Sequence, residues 1–230
     1  TPADEILNAW AHWGDVGAIA ERLHHILTPY HLQVSAILKE ATLHIFCTPQ
    51  PDSYTPEGIV FPAQDEIVNA IAPILQAIAP RGILGATIYG IDAPYEASFP
   101  DPSAPVWVGW LHLPASEYSQ LATSTHTLAH EGNLTALTFM LERLLNPHLQ
   151  EKLLTGGIRV KIRRKDDLLH IMTEALSCPQ QAEVVEPIAK FVRQLQLAGL
   201  SGVRVYGRRS GQKQPRWNYG VDFITRTAQI

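Results

Sequence analysis

The chain contains an internal repeat, and this feature limits its possible folds more than any other. Residues 61–90 align without a gap on residues 178–207, at an offset of 117. An alignment of this length predicts that one structural unit is present twice. The identical pairs include Pro62 and Pro179, Ile71 and Ile188, Gly85 and Gly202, Tyr89 and Tyr206, and Gly90 and Gly207.

Three shorter blocks extend the alignment on both sides, and the offset changes only between blocks, where loops accept insertions. The sequence predicts repeat 1 over residues 14–113 and repeat 2 over residues 132–230, with an N-terminal segment of residues 1–13 and a linker of residues 114–131. The blocks pair residues 26–29 with 144–147, residues 43–45 with 169–171, and residues 105–107 with 215–217.

Hydrophobic periodicity predicts the same element order, α-β-β-α-β-β, in both repeats. In repeat 1 a helix stops at Pro29, a hairpin of two strands follows, and a second helix begins at Pro62 and ends at Gly82. The predicted strands of repeat 1 are residues 32–38, 43–48, 83–89 and 106–113. The matching strands of repeat 2 are residues 158–163, 168–173, 202–206 and 217–223, and its second helix is residues 179–199.

This order predicts an α+β fold made of two tandem repeats, each a two-layer sandwich of helices on a sheet. It is a cyclic shift of β-α-β-β-α-β, so each repeat resembles a circularly permuted ferredoxin-like fold. The strand at residues 106–113 fits the first sheet and also fits the start of a sheet in repeat 2. The sequence therefore leaves open whether the sheets are separate or shared.

Composition narrows the class of protein. With 46% hydrophobic residues the chain has enough apolar content for a full core, which excludes a disordered protein. We expect a cytoplasmic protein without a membrane span, because no apolar run approaches about 20 residues and no leader-like start is present. Cys47 and Cys178 have neither zinc-site nor disulfide spacing, and we predict no metal and no cofactor.

The net charge of −4 divides unevenly between the repeats. Repeat 1 has 3 basic and 10 acidic side chains, a net charge of −7, whereas repeat 2 has 15 basic and 8 acidic side chains, a net charge of +7. The basic residues of repeat 2 also alternate with apolar ones, which places them on one face of a strand. The predicted partner-binding or anion-binding residues are Arg159, Lys161, Arg163, Arg204, Tyr206 and Arg208 on strands, with Arg209, Lys213, Arg216 and Trp217 on the adjoining loop.

Several functions fit such a cationic surface. The first is a non-catalytic protein-interaction or assembly module, which binds an acidic partner or self-associates through the oppositely charged repeats. The second is binding of nucleic acid or another polyanion, with Arg and Lys on phosphates and Tyr206 or Trp217 stacked on bases. A small-molecule sensor or enzyme with a site between the repeats is the third, and a merely solvated sheet face is the simplest alternative.

Catalytic motifs are missing from the sequence, so we predict that the protein is not an enzyme. It has no G-x-S-x-G motif, and the basic loop over residues 207–215 is not a phosphate-binding P-loop. His126 and His130 have the spacing of two ligands on one helix turn, but no third ligand can be named. We expect them on a solvated connector helix.

The run from Val205 to Trp217 reads V-Y-G-R-R-S-G-Q-K-Q-P-R-W. With the Pro-ended helix, the hairpin and the Pro-started helix before it, this run resembles tandem repeat modules of cyanobacterial proteins of uncharacterised function. Repeat 1 lacks the R-R-x-G-Q part of the motif. The resemblance implies a cytoplasmic module and brings no catalytic residue with it.

Overall fold

A computed structural model describes residues 1–51, 61–92 and 105–223 of the chain. The chain divides into two compact units, Ala3–Ser124 (unit 1) and Thr125–Ile230 (unit 2). The division falls inside the segment of residues 114–131 that the sequence predicts to be a linker.

Unit 1 contains four helices and four strands within its described residues. Its elements are α1 (Pro2–His12), α2 (Val16–Leu27), β1 (Leu32–Lys39), β2 (Thr42–Pro49), α3 (Gln64–Ile78), β3 (Gly85–Gly90), β4 (Trp107–His112) and the short α4 (Ser119–Ala122). Two 3-10 helices, Thr28–Tyr30 and Pro114–Ser116, follow α2 and β4.

Unit 2 contains the same core series of elements and one additional helix. Its elements are α5 (Thr125–His130), α6 (Leu134–Leu145), α7 (Leu149–Thr155), β5 (Arg159–Lys165), β6 (Leu168–Ala175), α8 (Gln181–Leu195), β7 (Gly202–Arg209) and β8 (Trp217–Asp222). The additional helix is α7, and it accounts for the rise in the repeat offset from 118 to 126.

Each unit has its own four-stranded sheet, in which the strand order follows the chain. β1 pairs antiparallel with β2, β2 pairs parallel with β3, and β3 pairs antiparallel with β4. The second sheet has the same three kinds of pairing in the same order. The sheets are therefore separate, and the strand at residues 106–113 belongs to the first of them.

The parallel pair corrects the prediction of a ferredoxin-like arrangement. A split βαβ unit has another strand between the two strands that its helix connects. Here those strands are direct neighbours, with Ile45 opposite Ile88 and Ile171 opposite Val205. The α+β class is confirmed, but the ferredoxin-like strand order is wrong. Local alternation predicts the face that a residue occupies, and it does not predict which strands become neighbours.

The core of each unit lies between its sheet and two amphipathic helices. No helix or strand within the described residues covers the opposite face of either sheet, which is called the open face here. Each fully buried aliphatic side chain contributes about 1.5–3 kcal/mol to folding. The fully buried side chains of unit 1 include Ile19 and Leu23 of α2, Ile67, Ile71 and Leu75 of α3, and Leu43, Ile45 and Ile88 of the sheet. Their counterparts in unit 2 include Leu137 and Leu141 of α6, Ile188 and Val192 of α8, and Leu169, Ile171, Val203 and Val205 of the sheet.

A histidine at the end of the first helix of each unit caps a later helix. His12 Nδ1 donates to the Ile78 carbonyl at the end of α3 (2.9 Å), and His130 Nδ1 donates to the Leu195 carbonyl at the end of α8 (2.7 Å). Carbonyls at a helix C-terminus lack intrahelical donors, so both bonds satisfy groups that need a partner. Helices α1 and α5 are thus tied to their units by these bonds, so α5 is part of unit 2 and not a free connector. His126 and His130 are both exposed to solvent, as predicted.

A tryptophan ties the last strand of each unit to the start of its long helix. Trp107 Nε1 donates to the Pro62 carbonyl (2.9 Å), and Trp217 Nε1 donates to the Pro179 carbonyl (2.8 Å). A Cβ atom at Gly90 or Gly207 would overlap the ring that lies over it. The glycine of each Tyr-Gly pair is therefore required by the tryptophan.

The long helices end earlier than the sequence predicts. α3 stops at Ile78 because Ala79 adopts a left-handed conformation with φ 47°, three residues before Gly82. α8 stops at Leu195, followed by Gln196 with φ 51°, and Gly199 comes later in the turn. Prolines within these helices, Pro73 and Pro187, do not interrupt them.

Candidate functional site

The open face of the second sheet carries the predicted cationic residues. Val160 and Val205 face the helices, so the alternating residues of β5 and β7 point to the other side. β6 lies between these two strands and adds its own alternating residues to the same face. The face therefore includes Arg159, Lys161, Arg163 and Lys165 of β5, His170, Met172 and Glu174 of β6, and Arg204, Tyr206 and Arg208 of β7.

Glu174 neutralises two of the predicted cations. Its Oε1 accepts from Arg159 Nη2, and its Oε2 accepts from Arg208 Nε. Arg159 also donates to Ser210 Oγ in the loop after β7 (3.2 Å). The Glu174 side chain is 10% exposed and that of Arg208 is 20% exposed, so this pair is shielded from water more than an ordinary surface pair. Arg159 is 56% exposed, and its pair with Glu174 is shielded on one side only.

The environment of Glu174 keeps it ionised. Burial acts to raise the pKa of its carboxyl group. The hydrogen bond from Arg208 and the charges of Arg208, Arg159 and Lys161 outweigh burial, and hold the pKa below its ordinary value of 4.5. Arg159 and Arg208 are thus committed to a carboxylate of their own sheet.

Arg204 is also paired within the sheet. Its Nη1 donates to Asp222 Oδ1 of β8 (2.9 Å) and to the carbonyl of Val203 (2.9 Å). A Cβ atom at Gly220 would lie 3.1 Å from the Arg204 side chain, so this glycine accommodates the arginine. Asp222 is 68% exposed, and we expect this pair to be weaker than those of Glu174.

Lys161, Arg163 and Lys165 differ from these arginines. All three side chains are exposed, and none forms an ion pair with a residue of the described chain. They follow one another on the open face of β5, next to the central strand β6. The sequence prediction omitted Lys165, although one further step of the same alternation includes it.

An imidazole and a phenol form a fixed pair at the centre of the face. His170 Nδ1 and Tyr206 Oη share a hydrogen bond of 2.9 Å, and their rings stack with centroids 5.9 Å apart. Tyr206 is among the predicted site residues, whereas His170 is not. The signal was present in the repeat, since His44 and Tyr89 form the same bond and the same stack in unit 1.

Four of the predicted site residues lie away from the open face. Trp217 is not a loop residue, because it begins β8, pairs with Gly207 and turns its indole towards Pro179 on the helix side. Arg209 ends β7 and alternates onto the helix side. Lys213 and Arg216 are exposed in the hairpin loop between β7 and β8, where Arg216 donates to Gln212.

The described parts of the chain contain neither a metal-binding cluster nor a reactive thiolate at Cys47. They contain no group of three His, Cys, Asp or Glu residues placed to hold a metal ion. Cys47 is fully buried, and this burial raises the pKa of its thiol to about 12, which makes a reactive thiolate unfavourable at neutral pH. Lys152 is 2% exposed and serves as a structural clamp, donating to Glu142 Oε2 (3.3 Å) and to the Ile158 carbonyl (3.2 Å).

The open face of unit 1 has different chemistry at the matched positions. The positions of Arg159, Lys161 and Arg163 are taken by Gln33, Ser35 and Ile37. Phe46 stands at the position of Met172 and stacks on Tyr89 with centroids 5.1 Å apart. Edge strand β4 adds Val108 and Trp110, which are 46% and 50% exposed. Lys39 keeps the position of Lys165. Apart from this lysine, the matched positions hold polar, aliphatic and aromatic side chains where unit 2 has Arg159, Lys161 and Arg163.

The chain has no significant match among protein-family models, curated proteins or solved structures. The resemblance to cyanobacterial repeat modules therefore stays a prediction. Among the helices within the described ranges, none has the length and apolar character needed to cross a membrane.

Proposed function

We propose that this protein is a non-catalytic interaction module whose unit 2 binds an acidic protein segment on its open sheet face. One observation carries the proposal: Lys161, Arg163 and Lys165 lie together on a sheet face that no described element covers, and none of them has a carboxylate partner among the described residues. An acidic segment would supply the missing counter-charges. Charges of this kind mainly set the rate and specificity of association.

Nucleic acid binding through the same face is the second candidate. Tyr206 favours it, because its ring lies among the cations and offers a surface for base stacking. The paired arginines argue against it, since Glu174 already neutralises Arg159 and Arg208 and its own negative charge would repel phosphates. Trp217, the other predicted stacking residue, points away from the face.

Self-association of acidic and basic units is less favoured than a separate partner. The described acidic residues of repeat 1 lie on helices, turns and strand ends, and none is on the open face of its sheet. Four others, Asp52, Glu57, Glu96 and Asp101, lie outside the described residues. A cytoplasmic location and a small-molecule site between the repeats stay predictions.

We also infer that the two units are tandem copies of one α-β-β-α-β-β module. The shared strand order, the His12 and His130 caps, the two tryptophan bonds and the two His–Tyr pairs support this inference. A further block supports it in the sequence, where A-H-x-G occurs at residues 11–14 and at residues 129–132. Divergence after duplication would then have acted mainly on the open faces.

The test measures the binding of a short fluorescent peptide that alternates Glu and Gly. Fluorescence anisotropy at low ionic strength gives the dissociation constant. We expect Lys161→Glu and Arg163→Glu each to weaken binding about tenfold, because each reverses an unpaired charge. Lys190→Glu is the matched control, since it makes the same charge change on the exposed side of α8. Thermal unfolding of all three variants checks that the fold is retained.

Two results would overturn the proposal. One is equal loss of binding in the Lys190→Glu control, which would indicate a response to net charge alone. The other is tighter binding to single-stranded DNA of matched length, with an affinity that falls steeply with salt. That second result would favour the nucleic acid alternative.

A further inference from the structure

An open depression of about 510 Å³ lies on the cationic face of unit 2. Its lining includes Lys161, Arg163, His170, Met172, Tyr206 and Pro215. Most of the surface that faces the depression is carbon, because Lys and Arg line it with their aliphatic stems. The charged groups of these long side chains extend to water at the rim. The depression is thus apolar at its floor and cationic at its edge.

The floor is held in place by the His170–Tyr206 pair. Their hydrogen bond satisfies the phenol and one imidazole nitrogen at the same time, so these polar groups need no further partner. The stacked rings, with planes 19° apart, present a nearly flat surface. Met172 lies beside them on β6, and its flexible thioether adapts to different shapes.

Unit 1 indicates what fits on such a floor. Phe46 occupies the position of Met172 there, and its ring stacks on Tyr89 with planes 13° apart. In unit 2, His170 is the one aromatic ring of the described chain that contacts Tyr206. The position of Phe46 is held in unit 2 by Met172, which lines the depression together with Tyr206, so a ring from outside the chain would pack against both side chains.

We propose that this depression is an anchor pocket for one aromatic side chain of the acidic segment, whose neighbouring carboxylates pair with Lys161 and Arg163. The inference rests on the proposed function and specifies the partner. It commits to a segment that has both features, an aromatic residue flanked by acidic ones. The cations without carboxylate partners favour acidic residues at the rim, and the apolar floor of Tyr206 and Met172 favours an aromatic ring.

The experiment compares three fluorescent peptides: Glu-rich with a central Phe, Glu-rich with Gly in its place, and Gln-rich with the same Phe. We expect the Glu-rich Phe peptide to bind about tenfold more tightly than the Glu-rich Gly peptide, because it buries part of an aromatic ring. The Gln-rich peptide should bind most weakly, since it has no counter-charge for the rim.

Met172→Phe is the decisive variant, because it rebuilds the unit 1 arrangement and fills the pocket from within. It should abolish the advantage of the Phe peptide and leave the affinity of the Glu-rich Gly peptide unchanged. Phe46→Met is the matched control in unit 1, and it should leave both affinities unchanged. The swap is conservative in volume, and thermal unfolding checks that both variants fold.

The outcomes separate the two proposals. If the wild-type protein binds both Glu-rich peptides equally, the anchor pocket is refuted and the acidic-segment function stands. If it binds neither of them, both proposals fail. An advantage of the Phe peptide that survives Met172→Phe would place the aromatic contact elsewhere and refute the pocket.

Discussion

Units 1 and 2 have the same strand order and almost the same internal contacts, yet the side chains on their open faces differ in charge and polarity. Both close their long helix with a histidine, tie it to the sheet with a tryptophan, and hold a His–Tyr pair on the open face. At matched positions of that face, however, Ser35 and Ile37 become Lys161 and Arg163. The scaffold contacts are therefore common to both units, and the differences lie on the open faces.

The differences are coordinated rather than scattered. Thr48 of unit 1 becomes Glu174, which pairs with Arg159 and Arg208. On the opposite edge, exposed Trp110 becomes Gly220, and Arg204 takes the space above it. Arg159, Arg204 and Arg208 thus each have a carboxylate partner in the sheet. Lys161, Arg163 and Lys165 have none among the described residues. The uncompensated charges are confined to one edge of the face.

The largest expected effect concerns the helix that only unit 2 possesses. Lys152 of α7 is buried against Glu142, and burial lowers the pKa of its amino group while Glu142 opposes the shift. Lys152→Ala would remove the cation that pairs with the Glu142 carboxylate. We therefore expect the free energy of unfolding of unit 2 to fall by about 3 kcal/mol. Hydrogen exchange, read separately for peptides of each unit, should show the loss in unit 2 alone.

Lys190→Ala is the control for this prediction, because Lys190 is exposed on α8 and should change stability by less than about 0.5 kcal/mol. Equal protection of unit 2 in both variants would mean that the Lys152–Glu142 pair is not a structural clamp.

The second prediction tests whether the units share one scaffold. Gly90→Ala and Gly207→Ala should each destabilise their own unit by about 2–3 kcal/mol, because the added methyl group overlaps the tryptophan ring. The two effects should be similar in size when measured by unit-resolved hydrogen exchange. In the double variant Gly207→Ala/Trp217→Ala the costs should not add, since the overlap is gone. Strict additivity would contradict the proposed contact.

The third and smallest effect depends on pH. Because the pKa of Glu174 lies below its ordinary value of 4.5, its ion pairs stabilise unit 2 above that pH, and this contribution is lost as pH falls through the lowered value. Glu174→Gln should cost about 1–2 kcal/mol at neutral pH. The variant should approach wild-type stability in acid, and unit 1, which has Thr48 at this position, should not respond. An identical acid dependence in both proteins would exclude this role.

The sequence predicts well on which face of a strand a side chain lies, and it predicts poorly which strands pair with each other. Alternation alone places Arg159, Lys161 and Arg163 on one side of a strand, since side chains of a strand point alternately to its two faces. The partner of Arg159 and Arg208 is Glu174 of β6, and the pairing of β6 with β5 and β7 brings it between the two arginines. That register is set by tertiary packing, and no local pattern contains it.

The remaining errors have similar causes. Trp217 follows a basic loop in sequence, but its pairing with Gly207 turns the ring to the helix side. His12 and His130 carry a repeat signal in the sequence, but their capping role becomes visible only when they meet Ile78 and Leu195 across the fold. Residues whose partners are distant in the sequence are found by comparing the two units, and local motifs do not identify them.

The connections between paired strands differ in length, and this difference bears on the order of folding. Sixteen residues separate β3 from β4, whereas seven separate β7 from β8. Closing a loop costs about 0.6 kcal/mol more for each doubling of its length, so the second hairpin has an entropic advantage of about 0.7 kcal/mol. We therefore expect β7 and β8 to pair early, before the helix-spanning parallel contacts complete either sheet.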